Sequence, residues 1–97
     1  MATYRFTGKA RQDLVDIIAY TQSHWGQPQA KAYITNLQST CQLLADNPEI
    51  GRKCDEIAAN VLSHPVKSHI IYYLRQDCNI VIVRILHKGM LPSKHLG

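Results

Sequence analysis

Two short stretches dense in Ile, Val and Tyr, residues 68–75 and 80–87, flank a single turn, and this arrangement constrains the chain more than anything else in it. β-Branched and aromatic side chains suit a pleated, half-buried surface, and a tight turn at Asp77-Cys78 folds the stretches into an antiparallel hairpin. Gln76 then faces Asn79, and the partners that follow are Leu74 with Val81, Tyr72 with Val83, and Ile70 with Ile85. That face is wholly apolar and is expected to meet the core. The other face pairs Arg75 with Ile80, Tyr73 with Ile82, Ile71 with Arg84, and His69 with Leu86. Side chains alternate with period two, so a slip of one residue would mix the sets. Left in water, Ile71, Tyr73, Ile80, Ile82 and Leu86 form an apolar patch that needs a cover: the chain's own tail, a second copy or a dedicated partner. An amphipathic helix laid beside a sheet is one recurring cover.

Upstream, Thr3-Tyr4-Arg5-Phe6 alternates and predicts a short first strand, with Thr7 as an N-cap. Ala10, Leu14, Ile17, Ile18, Thr21 and Trp25 then follow the three-and-four spacing of one helix face. Gly26 ends that helix and Pro28 suits the first turn of another. Ala30, Tyr33, Ile34, Leu37, Cys41 and Leu44 form the second stripe, stopped by Asn47-Pro48. So short a link folds the helices back as an antiparallel hairpin. Trp25 and Tyr20 are expected to pack between helix and core. Residues 49–60 are polar and irregular, and Val61-Leu62-Ser63 predicts a second strand, closed by Pro65.

At 97 residues the chain is one domain, residues 1–97, with material for a single two-layer core. The expected class is α+β: an N-terminal strand and an antiparallel helix hairpin packed on a small antiparallel sheet. No apolar run approaches the roughly 20 residues a membrane helix needs. The first residues lack the apolar region of a signal peptide, so the cytoplasm is the expected location. Cys41, Cys54 and Cys78 show no metal-ligand spacing and are expected as free thiols, Cys41 as a small hydrophobe on the second helix stripe. Neither metal nor cofactor is expected.

Charge is unevenly spread. Residues 1–56 hold six basic and six acidic side chains, whereas residues 57–97 hold Lys67, Arg75, Arg84, Lys88 and Lys94 against Asp77 alone, so the whole formal excess of +4 lies there. His64, His69, His87 and His95 lie there too. A basic half suits an acidic partner, nucleic acid or protein. For chemistry, Arg75, Arg84, His87 and Lys88 are the set that RNA cleavage would use, cations for developing charge and His or Lys for protons. Arg84 within an apolar strand requires a carboxylate, and Asp13, Asp16, Asp55, Glu56 or an outside group can supply it. Asp13 and Asp16 stand three apart like a catalytic pair, but both fall early in the first helix, where the macrodipole favours negative charge. No phosphate-cradling glycine loop, Ser/His/Asp order or nucleic-acid signature is present.

The ordered set Ala10-Arg11-Gln12-Asp13-Leu14, Ile17-Ile18-Ala19-Tyr20-Thr21, Trp25-Gly26, Leu43-Leu44-Ala45, Asn47-Pro48-Glu49-Ile50-Gly51, Ser68-His69-Ile70-Ile71-Tyr72-Tyr73 and Val83-Arg84-Ile85-Leu86-His87-Lys88-Gly89-Met90 resembles the ParE toxins of bacterial type II toxin–antitoxin pairs, within the RelE/ParE superfamily. The resemblance implies a strand, a helix hairpin and an antiparallel sheet. It also implies a non-enzymatic inhibitor that poisons DNA gyrase, with a ParD-like antitoxin as neutralising partner and no sequence-specific DNA binding by the toxin itself. The RelE branch instead cleaves mRNA on the ribosome, and the tail here, Met90-Leu91-Pro92-Ser93-Lys94-His95-Leu96, lacks the tyrosine that branch favours. On this reading Arg84, His87, Lys88, Met90, His95 and Leu96 meet the target, and Ile71, Tyr73, Arg75, Ile82 and Arg84 meet the antitoxin.

Overall fold

The computed structural model describes residues 2–55, 58–90, 92 and 94. Strand β1 (Tyr4–Phe6) leads into helices α1 (Gly8–Trp25) and α2 (Gln27–Asp46), then a 3₁₀ turn at Pro48–Ile50. Strands β2 (Arg52–Lys53), β3 (Leu62–Val66), β4 (His69–Gln76) and β5 (Asn79–His87) complete the chain. Both helices lie against a five-stranded sheet of order β1-β5-β4-β3-β2, antiparallel except where β1 runs parallel to β5. No helix among the described residues is long and apolar enough to cross a membrane.

Thr7 makes the corner between strand and helix. Its hydroxyl accepts from the Ala10 N–H at 3.1 Å and donates to the Val83 carbonyl at 2.9 Å, while its own N–H donates to the Ile82 carbonyl at 3.0 Å. One residue thus caps α1 and pins its start to β5. Gly26 sits at φ 90°, a left-handed backbone that side chains resist, and lets α2 reverse direction at once. The buried stripes, Ala10, Ile17 and Thr21 on α1 and Ala30, Leu37, Cys41, Leu44 and Ala45 on α2, follow the expected helical spacing. Pro65 lies inside β3 instead of ending a strand. β2 pairs with Leu62 and Ser63 alone, so at Pro65 the outer edge of β3 has no strand neighbour among the described residues and needs no N–H donor there.

The hairpin keeps the predicted register for half its length. Gln76 faces Asn79, Arg75 faces Ile80, Leu74 faces Val81 and Tyr73 faces Ile82. A bulge then inserts Val83, so Tyr72 faces Arg84, Ile71 faces Ile85, Ile70 faces Leu86 and His69 faces His87. One extra residue reverses the in/out parity of everything after it in β5.

The two faces are also exchanged relative to expectation. Ile71, Tyr73, Ile80 and Ile82, each 0% exposed, lie beneath the helices with Leu37, Cys41, Leu44 and Ile85. Tyr72 and Leu86 face the other way, covered by Cys54 and Val61, with Ile70, Leu74 and Val83 around them. Both faces are greasy enough to be the core, and Tyr73 helps to decide between them. Its hydroxyl must find a partner when buried, and it donates to the Pro48 carbonyl just beyond α2 at 2.8 Å. Gly51 leaves the room for that ring, because a Cβ there would strike the Tyr73 hydroxyl. The assignment of Ile71, Tyr73 and Ile82 to an outward antitoxin-binding face is therefore corrected: they are core.

Candidate functional site

Helix α1, the start of α2, the β3–β4 turn and the end of β5 enclose an open cleft of about 720 Å³. Asp13, Asp16, Ile17, Tyr20 and Trp25 form its helical wall, and Lys67, Ser68, His69, Ile85, His87 and Met90 form the wall opposite. The helical wall is held in place by one carboxylate. Arg84 donates from Nε to Asp13 Oδ2 at 2.7 Å and from Nη2 to Oδ1 at 2.9 Å, and the Ile85 N–H donates to Oδ2 at 3.0 Å. This two-pronged bond holds the Arg84 proton more tightly than usual, with burial opposing it. Asp13 is thus the carboxylate that Arg84 requires. Arg84 itself, expected to face a target or an antitoxin, is turned inward with its side chain 15% exposed.

At the inner end of the cleft, Tyr33, His69 and His87 come together. The Tyr33 hydroxyl donates to the Val66 carbonyl at 3.1 Å, and its 2.6 Å contact with His69 Nδ1 is then donated by the imidazole. That assignment leaves His69 Nε2 as a proton acceptor. Across the hairpin, the His87 ring stands edge-on to His69 with centroids 5.5 Å apart, and its Nδ1 accepts the Gly89 N–H at 3.1 Å. Burial, and then the neighbouring His87, hold His69 below its ordinary range near 6.5, with Asp13 partly opposing them.

The mouth of the cleft is aromatic. Tyr20 and Trp25, expected to be packed into the core, are 60% and 71% exposed, and Tyr20 stacks on His24 at 3.9 Å. They lie on the helix wall that lines the cleft, and none of the described residues buries them. Met90 is also exposed beside them. Tyr33, Asp13 and Lys67 were not singled out as site residues. The legible signal was Tyr33 as the one aromatic on its stripe, a ring with a hydroxyl that must end at a polar group.

The remaining expected site residues are dispersed. Arg75 is exposed beside the hairpin turn, and His87 and Lys88 are exposed at the opposite end. The span from Ile80, opposite Arg75, to His87 is roughly 20 Å at about 3.3 Å per strand residue. Arg84 lies between, occupied by Asp13. His95 and Leu96 lie outside the described residues.

Two helices on a five-stranded, mostly antiparallel sheet, with a parallel N-terminal strand, define an α+β toxin fold of the RelE/ParE type. A chain of the chromosomal ParDE toxin–antitoxin system from P. aeruginosa shares it at TM-score 0.76, with 18% identity over 90% of this chain and 96% of the other. A chain of the RelBE2 toxin–antitoxin complex from Mycobacterium tuberculosis does so at 0.65, with 23% identity over 91% and 92%. The family model described as ParE toxin of type II toxin–antitoxin system, parDE, matches residues 4–92. Toxin ParE1 of Caulobacter vibrioides is 34% identical over the full length of both chains, and Toxin ParE1 of Mycobacterium tuberculosis is 34% identical over 96% of both. The chain belongs to the ParE family of type II toxins.

Proposed function

We propose that this toxin acts without catalysis, by inhibiting DNA gyrase in the cytoplasm, and that a ParD-like antitoxin neutralises it by seating an amphipathic segment in the cleft. The observation that carries the first half is that Arg75, Arg84, His87 and Lys88, the set RNA cleavage would use, do not converge. A ribonuclease must converge positive charge and a proton carrier on one phosphate. Here Arg75 stands at one end of the hairpin, His87 and Lys88 stand at the other, and Arg84 is bound to Asp13. The exposed turn His87-Lys88-Gly89-Met90, with the tail that contains His95 and Leu96, is the segment presented to gyrase. The cleft supplies the second half: exposed Tyr20, Trp25 and Met90 around an apolar floor suit the buried aromatic anchors of a protein interface. The toxin makes no sequence-specific DNA contact of its own in this reading.

The test sets purified gyrase, supercoiled plasmid and ATP beside a translation reaction with defined mRNA. Linear plasmid trapped on gyrase is the expected result. Message cut on the ribosome with gyrase unaffected overturns the proposal in favour of the RelE-type endonuclease.

A further inference from the structure

The cleft is polarised across its width. On the helical wall the carboxylate of Asp13 is already satisfied by Arg84 and the Ile85 N–H, which leaves Asp16 as the acidic group facing a guest. The opposite wall has Lys67 on the β3–β4 turn and His87 at the end of β5, with His69 beneath them. Lys88 continues this rim, its N–H donating to the Ser68 carbonyl at 2.9 Å. Among the described residues, Tyr33 from α2, Asp13 from α1 and His87 from β5 face the His69 imidazole, with Lys67 on the same wall of the cleft.

We infer that the cleft admits its antitoxin segment in one orientation, acidic residues over the Lys67–His87 wall, and that His69 takes up a proton at Nε2 as the segment seats. The inference rests on the cleft being the antitoxin site. The chemistry is that of a proton acceptor opposite an incoming anion. In the free toxin the His69 ring is half-buried and stands edge-on to His87, so charge on His69 is disfavoured, and its Nε2 has a vacant lone pair. A partner carboxylate within about 4–6 Å reverses that balance and favours the imidazolium. Binding that takes up a proton strengthens as pH falls, by as much as tenfold in Kd per pH unit for a full proton. A segment whose anions faced Asp16 instead would be repelled there and would leave His69 without a partner anion.

Isothermal titration of the toxin with the ParD-like antitoxin that restores growth on co-expression tests this. At pH 7.0, the observed enthalpy is compared in phosphate and in Tris, whose ionisation enthalpies differ. The expected enthalpies differ by an amount corresponding to uptake of roughly half a proton or more. H69Q should bind with no such difference, and K67E about tenfold more weakly than the parent. Normal binding with equal enthalpies in both buffers overturns the inference and leaves the docking site standing. Normal binding of a toxin whose cleft mouth is truncated by W25A and Y20A overturns the docking site itself.

Discussion

Replacing Asp13 by alanine removes three bonds at once and is the most informative single perturbation of this fold. The two bonds from Arg84 are charge-assisted, worth roughly 1.5–3 kcal/mol each in a dry setting, and an orphaned buried N–H at Ile85 costs about 1–3 kcal/mol more. Residual solvent discounts that sum, because the Arg84 and Asp13 side chains are 15% and 13% exposed. The substitution should therefore cost about 3 kcal/mol, the low end for breaking a buried pair. With unfolding entropy of about 2.1 cal/mol/K per residue, a chain of 97 residues loses roughly 15 °C in Tm. D13N keeps an acceptor for Ile85 and loses the charge, so it should fall about half as far. Thermal and urea unfolding of D13A, R84M and the double variant close a cycle, with an expected coupling of about 2 kcal/mol. A Tm drop under about 5 °C for D13A, or a coupling near zero, would mean that the helical wall is held by packing and that the carboxylate is incidental.

The remaining expectations are these. His69 is held neutral below its ordinary range, so at mildly acid pH the unfolded chain binds a proton that the folded chain does not. Free toxin should therefore lose stability as pH falls below about 6.5, and H69Q should flatten that part of a Tm-against-pH curve. Burial pushes the Cys41 thiol up to about 12, and Cys54 is buried while Cys78 is exposed. A thiol reagent at pH 8 should thus label one cysteine in the native protein and three in urea, with mass spectrometry placing the native label on Cys78. Gly51→Ala drives a methyl into the Tyr73 ring and hydroxyl and should cost about 1–3 kcal/mol by urea melt. Y73F should absorb part of that cost, and a full penalty in the Y73F background would refute the steric account.

Legibility differed sharply between elements. The helix stripes, the Gly26 reversal, the Thr7 cap and the turn end of the hairpin follow from local spacing and backbone preference, and these depend on few residues. The sidedness of the hairpin does not. Both of its faces are rich in Ile, Val and Tyr, so burial alone ranks neither. The deciding contacts, Tyr73 to Pro48 and Asp13 to Ile85, join residues 25 and 72 positions apart. The bulge at Val83 has no residue signature, because no glycine or proline marks it, and it alone moves Leu86 to one face and His87 to the other. The cleft was illegible for a related reason. Tyr20 and Trp25 have helix-face periodicity, which does not tell whether the rest of the chain buries them.

Strand β5 occupies an interior position in the sheet, between β1 and β4, although it is the last strand made. Tyr4–Phe6 must find Ile80, Val81 and Ile82, and Thr7 the carbonyl of Val83, across more than seventy intervening residues. Pairings so remote in sequence form late. Without β5 there is no closed sheet, no Asp13–Arg84 clasp and no walled cleft. The clasp and the cleft it walls are thus properties of the finished sheet, closed only once β5 has slotted between β1 and β4.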